Sequence, residues 1–266
     1  MRITRTLPRS LVVLCLAAAA TPAFAAGPAE GRWSWSLFGG IDRPLSGDVH
    51  DGATAPVPDL GPLNPALAGV GAELRIAQRS HEDIYGTARS YGTEFAYGLS
   101  DNGEVFGQLR YTRADRGEVQ VGGAFVPALA TTLPVRGSFG DYKALTLEAG
   151  YRHYFAELGP TRPFVAGRLG ATRTDEIRAT FTIPDAAIAI VDVPFTQQTT
   201  SLSAGVDVGL LIPLGETVSL TAQTGVRYTA DLDGDDSAIG GLGLGGINDT
   251  GSRVSYPVSV GLRVDF

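Results

Sequence analysis

An all-β chain that crosses a membrane as an eight-stranded antiparallel up-and-down barrel is what the sequence predicts, on three observations. In the last thirteen residues, Val254, Tyr256, Val258, Val260, Leu262, Val264 and Phe266 alternate with Ser255, Pro257, Ser259, Gly261, Arg263 and Asp265. Strand side chains point alternately to opposite faces. The ribbon therefore has an oily side and a wet side, and a dry core would not accept Arg263 and Asp265 unpaired. The same alternation recurs seven times upstream. The connections between these segments alternate short and long, as turns at one mouth of a membrane barrel and surface loops at the other would. A soluble sandwich has no reason to do so.

The N-terminal 25 residues read as a secretory signal peptide. Arg2, Arg5 and Arg9 precede an apolar run from Leu11 to Ala20, and Ala23-Phe24-Ala25 is a small-x-small cleavage site. Ten apolar residues are too few for a membrane helix. Cys15 follows Leu14 rather than a small residue, which argues against lipid attachment, and the separated arginines argue against twin-arginine export. Cleavage would take the 21 basic side chains to 18 against 28 acidic ones, a net charge near −10, and would remove the single cysteine. An acidic exported chain is a poor nucleic-acid binder. Without cysteine it has neither disulfides nor thiolate metal sites. No later segment approaches eighteen consecutive apolar residues, so the remaining residues, 26–266, read as one barrel with long extracellular loops, placed in the cell outer membrane.

The first strand sets Trp33, Trp35, Leu37 and Ile41 against Ser34, Ser36 and Gly40. The second runs from Ala88 to Ser100, with Tyr91, Phe95, Tyr97 and Leu99 opposite Gly92, Glu94, Ala96 and Gly98. Ser100-Asp-Asn-Gly-Glu104 is a tight-turn signal. The third places Val105, Leu109 and Tyr111 opposite Gln108, Arg110 and Thr112, and the fourth Leu145, Leu147, Ala149, Tyr151 and Phe155 opposite Thr146, Glu148, Gly150 and Arg152. The fifth carries Val165, Leu169 and Ala171 against Ala166, Arg168, Gly170 and Thr172. The sixth carries Leu202, Ala204, Val206, Val208 and Leu210 against Ser201, Ser203, Gly205, Asp207 and Gly209. After the turn Pro213-Leu-Gly-Glu216, the seventh has Val218, Leu220, Ala222, Val226 and Tyr228 opposite Ser219, Thr221, Gln223, Gly225 and Arg227. Each is near the ~9–11 residues that cross a bilayer at a tilt.

On this map the aromatics sort by height. Trp33, Tyr97, Phe155 and Phe266 fall at the periplasmic end, and Tyr91, Tyr111, Tyr228 and Tyr256 at the outer end. Two girdles follow from the energetics of amphipathic rings at headgroup level. Ile177, Ala179, Phe181 and Ile183 keep the phase of the fifth strand, and Val119 and Val121 that of the third. They predict a sheet above the outer leaflet, with Pro127, Pro134, Pro184 and Pro194 protecting its edges. The Pro-rich start of the first loop reads as irregular, and Gly71 to Tyr85 as either a short helix or a strand extension.

These features together resemble the small outer-membrane barrels of Gram-negative bacteria: the OmpA transmembrane domain, OmpX and the opacity-type barrels. The resemblance covers the whole mature chain and lies in architecture, without a diagnostic motif. It implies insertion among outer-membrane lipid and lipopolysaccharide. It also implies that the last strand, with Tyr256, Val260, Leu262, Val264 and Phe266, is the signal read by the barrel assembly machinery. Unlike full-length OmpA, the chain is expected to stop at the barrel, without a peptidoglycan-binding domain.

The inward face collects Glu94, Glu148 and Asp207 with Arg110, Arg152, Arg168, Arg227 and Arg263. An eight-stranded lumen is just wide enough for side chains to fill it. Opposite charges there should pair, because an unpaired buried charge is costly. The favoured expectation is a salt-bridged plug inside a structural or surface-interaction barrel that works through its loops. The alternative is a narrow porin-like channel for ions or small solutes. A lipid A-modifying enzyme ranks lower. Deacylase barrels use a membrane-facing His-x-Ser, whereas the histidines here read His50-Asp-Gly, His81-Glu-Asp and His153-Tyr-Phe, with His153 in outward phase as an interfacial residue. No catalytic, cofactor or metal residue is nominated. Asp231-Leu-Asp-Gly-Asp-Asp236 offers oxygen ligands of the kind calcium prefers but lacks the later bidentate Glu of an EF-hand, so a solvated turn is the favoured reading. The glycine-rich run 240–246 lacks the Lys and helix of a phosphate loop and reads as linker.

Overall fold

The computed structural model describes residues 27–235, 237 and 250–266. The expected signal peptide, Asp236 and the glycine-rich run 240–246 lie outside the described residues. In chain order the strands are β1 (Trp33–Ser46), β2 (Asp48–His50), β3 (Ala53–Val57), β4 (Ala72–Ile76) and β5 (Arg79–Ser80). Helix α1 (His81–Tyr85) follows, then β6 (Ala88–Ser100), β7 (Gly103–Ala114), β8 (Gly117–Val126), β9 (Thr131–Phe139), β10 (Tyr142–Tyr154) and β11 (Arg162–Thr174). The chain ends with β12 (Ile177–Ile183), β13 (Ile188–Thr196), β14 (Thr199–Pro213), β15 (Val218–Thr229) and β16 (Arg253–Asp265).

Eight of these close a barrel in the order β1-β16-β15-β14-β11-β10-β7-β6. Every neighbouring pair is antiparallel, and β1 closes on β16 from Ser34↔Asp265 to Ser46↔Val254. In hydrocarbon no water satisfies a free N–H or C=O, so only a ladder without edges is tolerated. The eight strands are those the alternation predicts. Leu37, Phe95, Leu147, Leu169, Val206 and Leu262 are exposed on the outer wall, while Glu94, Glu148, Arg168, Asp207 and Arg263 are buried inside. In water such an exterior would cost far more than it returns; in lipid it is the favourable surface.

Both girdles take shape through cross-strand pairs. At the periplasmic end Trp33 lies opposite Tyr97, ring centroids 4.9 Å apart, and the Phe266 N–H donates to the Trp33 carbonyl. At the outer end Tyr91 faces Tyr111 at 5.3 Å. His153 is half-buried, with its ring edge-on to Phe155 at 5.2 Å.

Above the barrel stands a second sheet of six strands, in the order β13-β12-β9-β8-β4-β3. It is wider than the sequence predicts, because the first loop supplies β3 and β4 as well. Three of the four expected edge prolines sit elsewhere. Pro127 and Pro184 open 3-10 turns (Pro127–Leu129, Pro184–Ala186) at the tips of the β8–β9 and β12–β13 hairpins, where a fixed φ and a missing N–H suit a turn start. Pro134 lies on β9 inside the sheet, opposite Gly123, past the last rung shared with β12. Pro194 does lie on the edge strand β13, and the opposite edge, β3, carries Pro56. Both alternatives for residues 71–85 occur together: β4 is the strand extension and α1 the short helix. The helix starts at a capping box, in which Asp83 N–H donates to Ser80 Oγ and Ser80 N–H to Asp83 Oδ2. It packs so closely on β8 that a Cβ at Gly117 would lie 1.9 Å from the Ile84 carbonyl oxygen.

Candidate functional site

All eight charged residues expected on the inward face point into the lumen and are buried there. They form two clusters. The periplasmic one centres on Glu104, which is fully buried. Its Oε1 accepts from Arg152 Nη1 at 2.5 Å and from the Tyr154 hydroxyl at 3.0 Å, and its two oxygens accept from Arg263 Nη1 at 2.9 and 2.8 Å. Arg152 also reaches both oxygens of Glu94, at 2.8 and 3.0 Å, and Arg263 Nε donates to Asp265 at 2.8 Å. The guanidinium of Arg152 lies between two rings, 4.8 Å from Phe106 and 4.9 Å from Phe164, an attraction that strengthens away from water.

The second cluster lies nearer the outer end. Asp207 accepts from Arg227 as a fork, Nη1 to Oδ1 at 2.5 Å and Nη2 to Oδ2 at 3.0 Å, and also from Arg168. Arg168 donates as well to Gln108. Glu148 stands 3.6 Å from Arg110 and 3.7 Å from Arg168. Five arginines and five carboxylates thus meet among the described residues of these clusters, a charge balance that a closed space requires. Glycines on the inward face make room for them: a Cβ at Gly150 would lie 2.4 Å from the Phe106 ring. The packed interior leaves a cavity of about 10 Å³ beside Gln108, Arg110, Asp207 and Arg227, roughly the space of one water molecule.

The sequence reading places Glu104 in a turn and leaves Tyr154 out of the network. Both have the inward phase of their strands, shared with Gln108 and with Arg152, so the signal was the alternation itself.

Upward, the polar lumen ends against hydrocarbon. Inward-facing Ala88, Ala114, Tyr142 and Ala144 at the barrel top belong to one apolar core with Val49, Ile84, Val121, Phe139, Ile177 and Phe195 of the upper layer. The histidines outside the membrane are part of this layer. His81 is buried, edge-on to Tyr142 at 5.9 Å, and its pKa is lowered to about 3, first by desolvation and then by the nearby Arg253 charge. His50 stacks on Phe139 at 6.0 Å, and its pKa is also lowered, chiefly by burial. On the outer wall, just above the Tyr91–Tyr111 pair, Arg89, Arg113 and Lys143 are direct cross-strand neighbours on β6, β7 and β10. Arg113 also pairs with Asp141 at 2.8 Å.

A closed ladder, an apolar outer band between aromatic girdles and a charged, filled lumen have one common setting. This is an eight-stranded outer-membrane β-barrel. No family model matches the chain, and no curated protein does. Among solved structures it is similar to Neisserial surface protein A (16% identity, 90% of this chain and 100% of that one, TM-score 0.43). It is also similar to the outer membrane protease OmpT from Escherichia coli (8%, 91% and 99%, 0.41) and to Ail of Yersinia pestis (15%, 88% and 99%, 0.39). At these values the likeness is of one cylinder to another and says nothing of loops or sites.

In the acidic loop, Asp233 Oδ2 accepts from Thr199 Oγ1 at the start of β14 at 3.1 Å, and Asp235 Oδ1 accepts from the Ser237 N–H at 3.0 Å, a local turn contact. Among the described residues no group of three or more carboxylates or histidines gathers at metal-binding distance.

Proposed function

We propose that this barrel is a non-conducting, non-enzymatic surface protein whose binding function resides in the extracellular sheet. One observation carries the reading: the lumen is filled with paired charges and runs upward into a continuous apolar core, not into a water-filled vestibule. Ions would have to cross both a salt-bridged plug and a layer of hydrocarbon. Each of the three histidines is engaged by aromatic rings, which supports the non-enzymatic part. Binding function concentrates in loops held by a rigid scaffold, and here the loops have been built into a sheet with its own core.

The partners that fit are lipid and the assembly machinery. Arg89, Arg113 and Lys143 stand side by side at headgroup height, where lipopolysaccharide phosphates would meet them. The outward residues Tyr256, Val260, Leu262 and Val264 of β16, with Phe266 after it, are the face we assign to the assembly machinery. The deciding experiment is conductance of the mature barrel in planar bilayers. No steady open level is expected, while a large, persistent one would overturn the proposal. Trimming the β8–β9 and β12–β13 hairpins should abolish surface binding and leave heat-modifiable gel migration intact.

A further inference from the structure

The upper sheet encloses a cavity of about 60 Å³ between β3, β4, β8, β9, β12 and β13. Of its fourteen lining residues only His50 and Thr182 carry a polar side-chain atom. Val57, Leu74, Val121 and Ile188 are buried at its base, whereas Leu63, Phe181, Thr182 and Ile190 are half-buried, so the cavity opens to the outside along them. Apolar cavities of this kind stay dry and take up apolar ligands.

His50 gives the cavity a direction. The ring is 2% exposed, and its Nδ1 lies 3.0 Å from the Asp51 carbonyl oxygen. A carbonyl only accepts, so Nδ1 carries the proton. The other nitrogen, Nε2, is buried and has no hydrogen-bond partner. Phe139 and Phe195 hold the ring plane, one stacked at 6.0 Å and the other edge-on at 6.1 Å. Burial keeps the imidazole neutral, which leaves an acceptor lone pair at Nε2. Buried polar atoms are nearly always paired, and an orphan calls for an explanation. A resident water is a poor one, since it needs two to four partners and the lining offers only Thr182 besides.

We infer that this cavity is a binding site for a small apolar alcohol, whose hydroxyl donates to His50 Nε2 and whose hydrocarbon fills the space among Val57, Leu74, Val121, Ile188 and Phe195. At roughly 10–15 Å³ per water-sized centre, the enclosed part takes about four to six non-hydrogen atoms. A four- or five-carbon alcohol fits, and a longer chain would extend through the mouth. A donor is required because Nε2 only accepts. A charged group is excluded because the lining holds no counter-charge. The inference names a ligand class for the extracellular sheet and so rests on the surface-binding reading. It does not rest on the closed lumen, which conductance tests separately.

The test uses the mature chain in lipid nanodiscs, with methyl resonances of Val121, Ile188 and Ile190 followed by NMR. 1-Pentanol is titrated against methyl butyl ether, which has the same atoms but no donor. Saturable shifts are expected with pentanol, and roughly tenfold weaker binding of the ether. His50→Phe should remove the preference by weakening the alcohol alone. Ile190→Trp, a change at the half-buried mouth, should block both ligands while leaving the fold intact. No saturable shift, or equal affinity for alcohol and ether in the unmodified chain, would overturn the assignment whatever the variants do.

Discussion

Replacing Asp207 by Asn tests whether the lumen is held by charge balance or merely by packing. Asn has nearly the same shape, so any effect is electrostatic. Asp207 is 1% exposed and is, among the described residues, the only carboxylate bonded to Arg227, whose next acceptor is the Val226 carbonyl at 3.4 Å. Without it Arg227 becomes a buried cation facing an amide that presents N–H groups. Arg168 is left with Gln108 and with Glu148 at 3.7 Å. Two charges 4 Å apart attract by about 4 kcal/mol at an effective dielectric of 20, and breaking one partner of a buried pair costs about 3–5 kcal/mol. Glu104→Gln is the internal control. Glu104 accepts four hydrogen bonds against three at Asp207, yet Arg152 keeps Glu94 and Arg263 keeps Asp265, so the loss should be about 1–2 kcal/mol. Reversible urea unfolding in lipid vesicles, read from gel migration without boiling, measures both. If Asp207→Asn costs under about 1 kcal/mol, or Glu104→Gln costs more than Asp207→Asn, the charge-balance reasoning fails.

Acidification should loosen the upper layer before the barrel. A His81 pKa of about 3 in the fold, against roughly 6.5 unfolded, means that the unfolded state binds the extra proton. Stability is then full above pH 6.5 and falls by about 1.4 kcal/mol per unit toward pH 3. Protection factors of β8 and β9 amides, which divide out the pH dependence of intrinsic exchange, should therefore fall between pH 7 and 5, and His81→Phe should flatten the change. Ala130 and Ala187 close their hairpin tips at φ 48°, a left-handed conformation that costs alanine about 1 kcal/mol. Ala130→Gly or Ala187→Gly should raise the unfolding midpoint slightly, and a lowered midpoint in both would count against the turn assignment. Changing Arg89, Arg113 and Lys143 together to Gln should weaken retention of lipopolysaccharide on the purified barrel several-fold at low salt, and less at high salt where screening already weakens the contact. Unchanged retention at low salt would remove the basis for that partner.

The membrane strands were legible because two solvents enforce their alternation. A residue of the wrong polarity on either face of β14 or β16 meets either lipid or a crowded lumen, so a departure from the pattern is penalised at every position. The upper sheet lacks that discipline. Its strands are short, and the ladder slips between Gln120 and Gly122 on β8 and between Ala179 and Phe181 on β12. Each slip exchanges inside for outside and blurs the period. β3 was hidden further by Pro56, which reads as a breaker but is tolerated on an edge. Helix α1 was decidable: Ser80 with Asp83 three residues on is a helix-start signal that the sequence reading did not use. Glu104 was missed for another reason. It is the last residue of a strong turn signal, and that turn chemistry masks its strand phase.

The two interiors of this molecule follow opposite rules, and their junction decides what it can do. Below, the wall faces oil and the core is ionic. Above, the wall faces water and the core is hydrocarbon, with Phe139, Ile177 and Phe195 fully buried. A polar solute entering from outside would have to shed its water in the upper core before reaching the arginines, and would there displace paired carboxylates. An apolar solute stopping in the upper core gives up nothing. On the function proposed above, the stacking order would disfavour passage of ions and favour retention of small apolar molecules, with the orphaned His50 Nε2 as the unpaired acceptor on the cavity wall that a hydroxyl would satisfy.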